Sequence, residues 1–263
     1  MSDLVHSGLG LSVPRPDASA ALALYDRLGD LPESALRLLE RGEEQSLQLG
    51  STWLRLQEQH VHARSNAKVV IAVLRIGHKA QVVLLLLSED RRLDLRLRSM
   101  SSFYTALYSP ALHPQARADA LSEAIALVCR ALYPVRSLQL APMSQSTARQ
   151  CQQAFQDAGL SAHTYFTFAN WSTDQWSSSN DYFASLSANL RSTINRSRRK
   201  LAAAGARVHI VRDAQEVQAA MDAYEQVYGL SWKQPEPFPE FLRALAHQTA
   251  SMGGLRLGLC LLG

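Results

Sequence analysis

The sequence predicts an α/β protein. Stretches with apolar residues at helical spacing alternate with short β-branched or strictly alternating apolar runs. Two such runs, 68–76 and 81–87, flank Gly77-His78, which marks a hairpin. Hydrophobic residues make up 47% and charged residues 19% of the 263 positions, enough for a sizeable core and too apolar for a disordered chain. The longest aliphatic run, Val82 to Leu87, is far short of a bilayer span. Residues 1–16 lack the basic start and apolar stretch of a signal peptide. A cytoplasmic protein without membrane contact is expected.

The elements read in order as follows. Asp17 caps a helix over 17–29, with Leu22, Tyr25 and Leu28 returning at helical spacing. A short helix follows Pro32 and ends near Gly42, and a third spans 51–60. The hairpin comes next, then a half-buried strand in which Leu93, Leu95 and Leu97 alternate with charged residues. Residues 101–114 are aromatic and turn-rich without a glycine. Residues 115–132 form a helix, 137–140 a strand, 146–158 a helix stopped by Gly159, and 162–168 a strand. The Ser- and Trp-rich stretch 170–180 reads as a linker. One long helix over 181–204 carries Leu186, Leu190, Ile194 and Leu201 as an inward stripe and stops at Gly205. A strand over 207–211 precedes a helix opened by a capping-box-like Asp213 and Glu216 and lined by Val217, Met221, Tyr224 and Tyr228. Pro235, Pro237 and Pro239 force an extended loop, and Pro239 suits the first turn of a helix to Met252. Residues 255–262 form a last strand that looks like the first arm of a hairpin.

The chemistry-bearing residues are sparse. Cys129, Cys151 and Cys260 are too dispersed for a disulfide framework or a zinc site and read as core thiols. His60 and His62 are the only close histidine pair and read as strand-end solvent positions, so no metal is expected. Seven of the 27 basic residues fall between Arg191 and Arg212 with no acid among them. That band suits an anion or is simply the solvated face of a helix. No nucleic-acid recognition motif accompanies it. Nucleophile-elbow, phosphate-loop and dinucleotide signatures are absent from the sequence.

A set of residue strings carries a family resemblance. They are Phe168-Ala169-Asn170-Trp171, Asp181-Tyr182-Phe183, the run from Leu186 to Ile194, and Arg198-Arg199-Lys200-Leu201. Tyr224 to Tyr228, Ser231 to Pro237 and Leu255 to Gly258 follow, with Ser101 to Thr105 and Tyr108-Ser109-Pro110 upstream. Over residues 65–263 the chain resembles the GNAT-superfamily acyltransferases of the CelD-like group, of the cellulose-biosynthesis type, relatives of the FemAB transferases. The resemblance implies tandem GNAT-like modules with mixed, mostly antiparallel sheets. The first occupies 1–169, with the linker at 170–180. The second, 181–263, has only two strands and three helices by this reading, which would leave an open sheet edge, so it is read as truncated. Self-association through that edge strand is expected.

The resemblance also implies the chemistry. An acyl group passes from acetyl-coenzyme A or another acyl-CoA, the co-substrate, to an amine or hydroxyl of a small-molecule or polysaccharide-related acceptor. GNAT enzymes hold the donor at a splayed strand pair, with the pyrophosphate on the next helix start after a Gly-rich turn. In the first module that turn is the glycine-free 101–114, so the donor site is read as degenerate there and missing from the second. On the acceptor side, Glu236 is the candidate base and Tyr228 the candidate acid. Trp232, Lys233, Tyr224, Arg191 and Arg198 are candidate substrate-binding residues. Two other readings stand beside this one. One is a non-catalytic acceptor-binding module without a donor site. The other is a FemAB-like transferase using charged tRNA.

Overall fold

The computed structural model describes residues 20–91, 94–168 and 176–262. A mixed sheet forms the framework. Its strands are β1 (Ala20–Tyr25), β2 (Lys68–Ile76), β3 (Lys79–Arg91), β4 (Asp94–Ser99), β5 (Ala111–Leu112) and β6 (Val135–Gln139). The strand order is β1-β2-β3-β4-β6, with β5 beside β3. All pairs are antiparallel except β4 and β6, which run parallel. A parallel pair needs a crossover, and α3 (Ala120–Ala131) supplies it.

Helices cover both faces of this sheet. The run from Val82 to Leu87 is buried on both sides, which is why it reads as continuously apolar rather than alternating. Ile71, Val73, Val83, Leu85 and Leu87 face α1 (Glu33–Gln45) and α2 (Ser51–His60). Ala72, Leu74, Val82, Leu84 and Leu86 face α3 and α4 (Gln145–Asp157). Among the described residues no helix is long and apolar enough to cross a membrane.

The second half repeats the opening of the first. It holds α5 (Ser179–Ser185), α6 (Ala188–Ala203), β7 (Arg207–Val211), α7 (Val217–Gly229), α8 (Pro239–Ser251) and β8 (Leu257–Leu261). The order β7-α7-α8-β8 matches β1-α1-α2-β2, and in both the two strands pair antiparallel. The two second helices of these units pack on each other. Trp53 and Phe241, each the third residue of its helix, meet edge to face at 5.0 Å. Phe241 is fully buried in the core of the first half.

Several expectations are corrected. Residues 20–25 form a strand rather than a helix; the expected cap, Asp17, lies outside the described residues. Alanine-rich sequence favours helix, but pairing of Ala20 to Tyr25 along β2 outweighs that propensity. Residues 162–168 run without strand pairing, and Tyr165 and Phe166 are exposed. The long helix over 181–204 is two helices, broken at Leu186 and Ser187, whose hydroxyl caps α6. Its inward stripe finds no core: α5 and α6 bury no residue, and Leu190 and Leu201 are 46% and 45% exposed. Periodicity defines an apolar face but not what covers it. The capping box at Asp213 does not form; Asp213 closes a turn on Gln215, and α7 begins at Val217. Cys151 is buried, Cys129 half-buried and Cys260 exposed on β8. His62 is buried rather than at a strand end, and His60 ends α2.

Other readings hold. Gly159, Gly205 and Gly253 stop α4, α6 and α8 at φ of 77°, 71° and 72°, values that a side chain would disfavour. Pro239 opens α8. Of the expected linker, residues 170–175 lie outside the described residues, as does Leu93 of the expected alternating strand.

Because Phe241 ties α8 to the first core, Phe241→Ala should cost about 3–5 kcal/mol. Urea unfolding checks this. A loss under about 1 kcal/mol would mean that α8 contributes little to the first core.

Candidate active site

The loop that follows β4 is held from several sides. Gln48, in the turn before α2, accepts the N–H groups of Ala106 and Leu107 at 2.8 and 2.9 Å. Its amide donates to the Tyr104 carbonyl at 3.3 Å. Gln57 on α2 is fully buried and donates to Thr105 Oγ1 at 2.8 Å. That same oxygen accepts the Ser102 N–H at 3.0 Å. With its amide nitrogen used on Thr105, Gln57 offers its oxygen to His62, so His62 Nε2 is the donor of their 3.2 Å bond. Burial, with the Arg98 guanidinium nearby, pushes the His62 imidazole down to about 4.

These contacts aim Tyr104 at the second half. Its ring stacks on Phe241 with centroids 5.1 Å apart and planes 16° from parallel. Its hydroxyl donates to Glu236 Oε1 at 2.8 Å and accepts the Phe238 N–H at 3.3 Å. Tyr228, near the end of α7, also lines the cleft beside Glu236. Its interaction with that carboxylate, then partial burial and the carboxylate's charge, raises the Tyr228 phenol above its ordinary value. Burial first, and Glu236 second, push Tyr104 up as well. Tyr224 is raised by burial and by the charges of Glu236 and Glu225. All three phenols therefore stay protonated at neutral pH and present hydroxyl donors.

A cleft of about 270 Å³ opens beside Glu236, lined among others by Met221, Tyr224, Tyr228, Pro235 and Leu242. The Tyr224 and Tyr228 rings lie 5.7 Å apart, and Lys233 Nζ stands 5.6 Å over the Tyr228 ring. Glu225 also borders the cleft but is tied, with Asp222, to Arg243 of α8. The structure thus brings together Tyr224, Tyr228, Lys233 and Glu236. Trp232 is 92% exposed beside them. Arg191 and Arg198 contact α5 instead: Arg191 donates to the Ala184 carbonyl, and Arg198 lies 5.1 Å over Phe183. Sequence reasoning missed Tyr104 and Gln48. The signals for Tyr104 were the aromatic pair Phe103-Tyr104 in a glycine-free loop and its place in the Ser101 to Thr105 string; Gln48 had none. A larger cavity, about 1220 Å³ between β6, α4 and residues 160–168, contains none of the candidate residues. Among the described residues no cluster of His, Cys, Asp or Glu is placed to hold a metal.

Residues 188–263 match the family model of the acetyltransferase (GNAT) domain. That segment begins at α6 and contains Tyr224, Tyr228, Lys233 and Glu236. Over that segment the chain is similar to the GNAT acetyltransferase domain, a transferase domain whose general donor is acyl-CoA. No curated protein and no solved structure matches the chain significantly.

In the first half, the end of the parallel pair β4 and β6 is laced shut. Beyond the Arg98 and Gln139 register, the Ser99 hydroxyl accepts the Ala141 N–H at 3.1 Å and donates to the Ala141 carbonyl. Ser101 donates to the same carbonyl at 2.7 Å, and the Tyr108 N–H reaches Pro142 at 2.6 Å. The start of α3 carries Asp119 and Glu123, both paired with Arg117. Two carboxylates at a helix start oppose a pyrophosphate, although the helix dipole favours one.

Two outcomes are expected. Titrating acetyl-coenzyme A calorimetrically into Asp119→Ala and Glu123→Ala should give the parent's dissociation constant within about twofold. A tenfold tightening, about 1.4 kcal/mol, would place the pyrophosphate at α3. His62 stays neutral in the folded protein down to about pH 4, whereas an unfolded histidine protonates near pH 6.5. The unfolded state therefore takes up the proton first on acidification. Stability should fall between pH 6.5 and 4, by on the order of 3 kcal/mol from this group, and no further below. Urea unfolding of wild type and His62→Asn across that window checks it; identical pH slopes would remove His62 as the cause.

Proposed function

We propose that this protein is a GNAT-type acyltransferase that passes an acyl group from a coenzyme A thioester to an amine or hydroxyl, with Glu236 as the base. The observation that carries the reading is a half-buried carboxylate at an apolar, aromatic cleft, inside the segment matching the GNAT domain, held by the Tyr104 hydroxyl and flanked by Tyr228. An acceptor seated against Tyr224 and Tyr228 would place its nucleophile beside Glu236.

The proton inventory closes. As the nucleophile attacks the thioester carbonyl, its proton passes to Glu236 and the carbon–sulfur bond breaks. Neutralising Glu236 removes the charge that holds the Tyr228 phenol up. Tyr228 then becomes a stronger acid than in the resting site and protonates the departing thiolate. The phenolate recovers its proton from the neighbouring Glu236 carboxyl. Both residues end as they began, with free thiol and acylated acceptor as products. Lys233, over the Tyr228 ring, adds positive charge where the phenolate forms.

The CelD-like assignment rests on the residue strings quoted above. A cytoplasmic setting is part of the same proposal. The closed first groove favours one second reading, an acceptor-binding protein without transfer activity.

With acetyl-coenzyme A and a panel of primary amines, Glu236→Gln should lower turnover about 10²–10⁴-fold. Tyr228→Phe should lower it by a smaller factor. Both should melt close to wild type, since neither residue belongs to a buried core. Undiminished turnover in both variants would overturn the mechanism; no transfer by wild type to any amine or alcohol would favour the binding reading.

A further inference from the structure

We infer that Tyr104, supplied by the first half of the chain, is a positioning residue for Glu236, and that Gln48 acts through Tyr104 in the same way. The inference rests on the reading of Glu236 as the base.

The hydroxyl of Tyr104 is bound on both sides. It accepts from Phe238 and donates to Glu236, so one phenol grips two residues of the 236–238 loop. With Oε1 engaged, the carboxylate cannot turn about its terminal bond without losing a charge-assisted hydrogen bond. The ring is fixed by stacking on Phe241 and by Phe238 meeting it at 6.3 Å. The backbone is fixed by the three bonds to Gln48, which span residues 104–107. Every degree of freedom of Tyr104 is therefore restrained by a named partner.

The internal repeat adds an independent observation. Gln48 stands three residues before α2, and Glu236 stands three residues before α8. These matching positions of the two β-α-α-β units hold a carboxamide and a carboxylate of nearly the same shape. Both side chains end on Tyr104, one on its backbone and one on its hydroxyl. In the first half the position carries no charge, and its oxygen is used on two backbone N–H groups. The first half thus supplies the brace, and the second supplies the charge.

Two four-member cycles test this, built from wild type, Tyr104→Phe, Glu236→Gln and the double variant. In acyl transfer from acetyl-coenzyme A to a primary amine, Tyr104→Phe should lower kcat about tenfold or more, with the amine KM within about twofold. It should cause no further loss in the Glu236→Gln background, because a brace has no effect once the braced charge is gone. Gln48→Ala should lower kcat in wild type and little further in Tyr104→Phe. Equal losses in both backgrounds, or none in wild type, would overturn the inference. The second cycle uses Glu236→Ala in place of Glu236→Gln, because a glutamine oxygen would still accept the Tyr104 hydroxyl, and it reads unfolding in urea without chemistry. Non-additive stabilities confirm the bond between the two side chains, whereas additive ones overturn the inference. Non-additive stabilities with full turnover in Glu236→Gln would overturn the base assignment, and the positioning role with it, while leaving the bond intact.

Discussion

Phe241 is the contact on which the arrangement of this molecule turns. It is fully buried, edge-on to Trp53 and face-on to Tyr104, and so belongs to the core of the first sheet although it sits on a helix of the second half. Burying one such ring contributes about 1.5–3 kcal/mol through apolar area alone, with a further gain from its aromatic geometry. Loss of that contact would free α8 and the loop before it. Glu236 would then have no fixed relation to Tyr104.

The polar features follow from that apolar one. A hydrogen bond between a phenol and a carboxylate is strong only where water is partly excluded and the partners need little reorganisation. The stacked rings provide the first condition, and the glutamine clamps provide the second. Gln57 and His62 do for the loop base what Gln48 does for its crest, and none of the three carries charge at neutral pH. Uncharged braces leave Glu236 as the carboxylate that acts on all three tyrosines, with Glu225 held against Arg243 and Lys233 placed over the ring. An additional unpaired charge there would alter the protonation of all three tyrosines.

The two halves have unequal roles despite their common opening. In the first, a continuous sheet is covered on both faces, and the open end of its parallel pair is closed by serine hydroxyls. In the second, β7 and β8 pair with each other, with Val208, Ile210 and Leu261 substantially exposed. Gln48 and Glu236 stand at matching positions of that common opening, three residues before α2 and α8.

Strong periodicities were legible without a structure. The hairpin, α1, α2, α3, α4, α7 and α8 came from local patterns that tertiary packing reinforces. Where local preference and packing disagreed, the sequence misled: Ala20–Tyr25 has helical composition but pairs along β2, and the stripe of α6 implied a burial that does not occur. On the candidate site, the tyrosine spacing on α7 and the proline-stiffened loop singled out Tyr224, Tyr228, Lys233 and Glu236. The roles of Tyr104 and Gln48 were invisible, because they lie 132 and 188 positions before Glu236 and no local pattern encodes so distant a relation. The sequence alone thus determined the α/β class, the order of most elements and the candidate acid–base pair, since these depend on neighbours within a few turns. Only the tertiary structure decided which loop meets that carboxylate, because that choice was made by packing Phe241 between Trp53 and Tyr104.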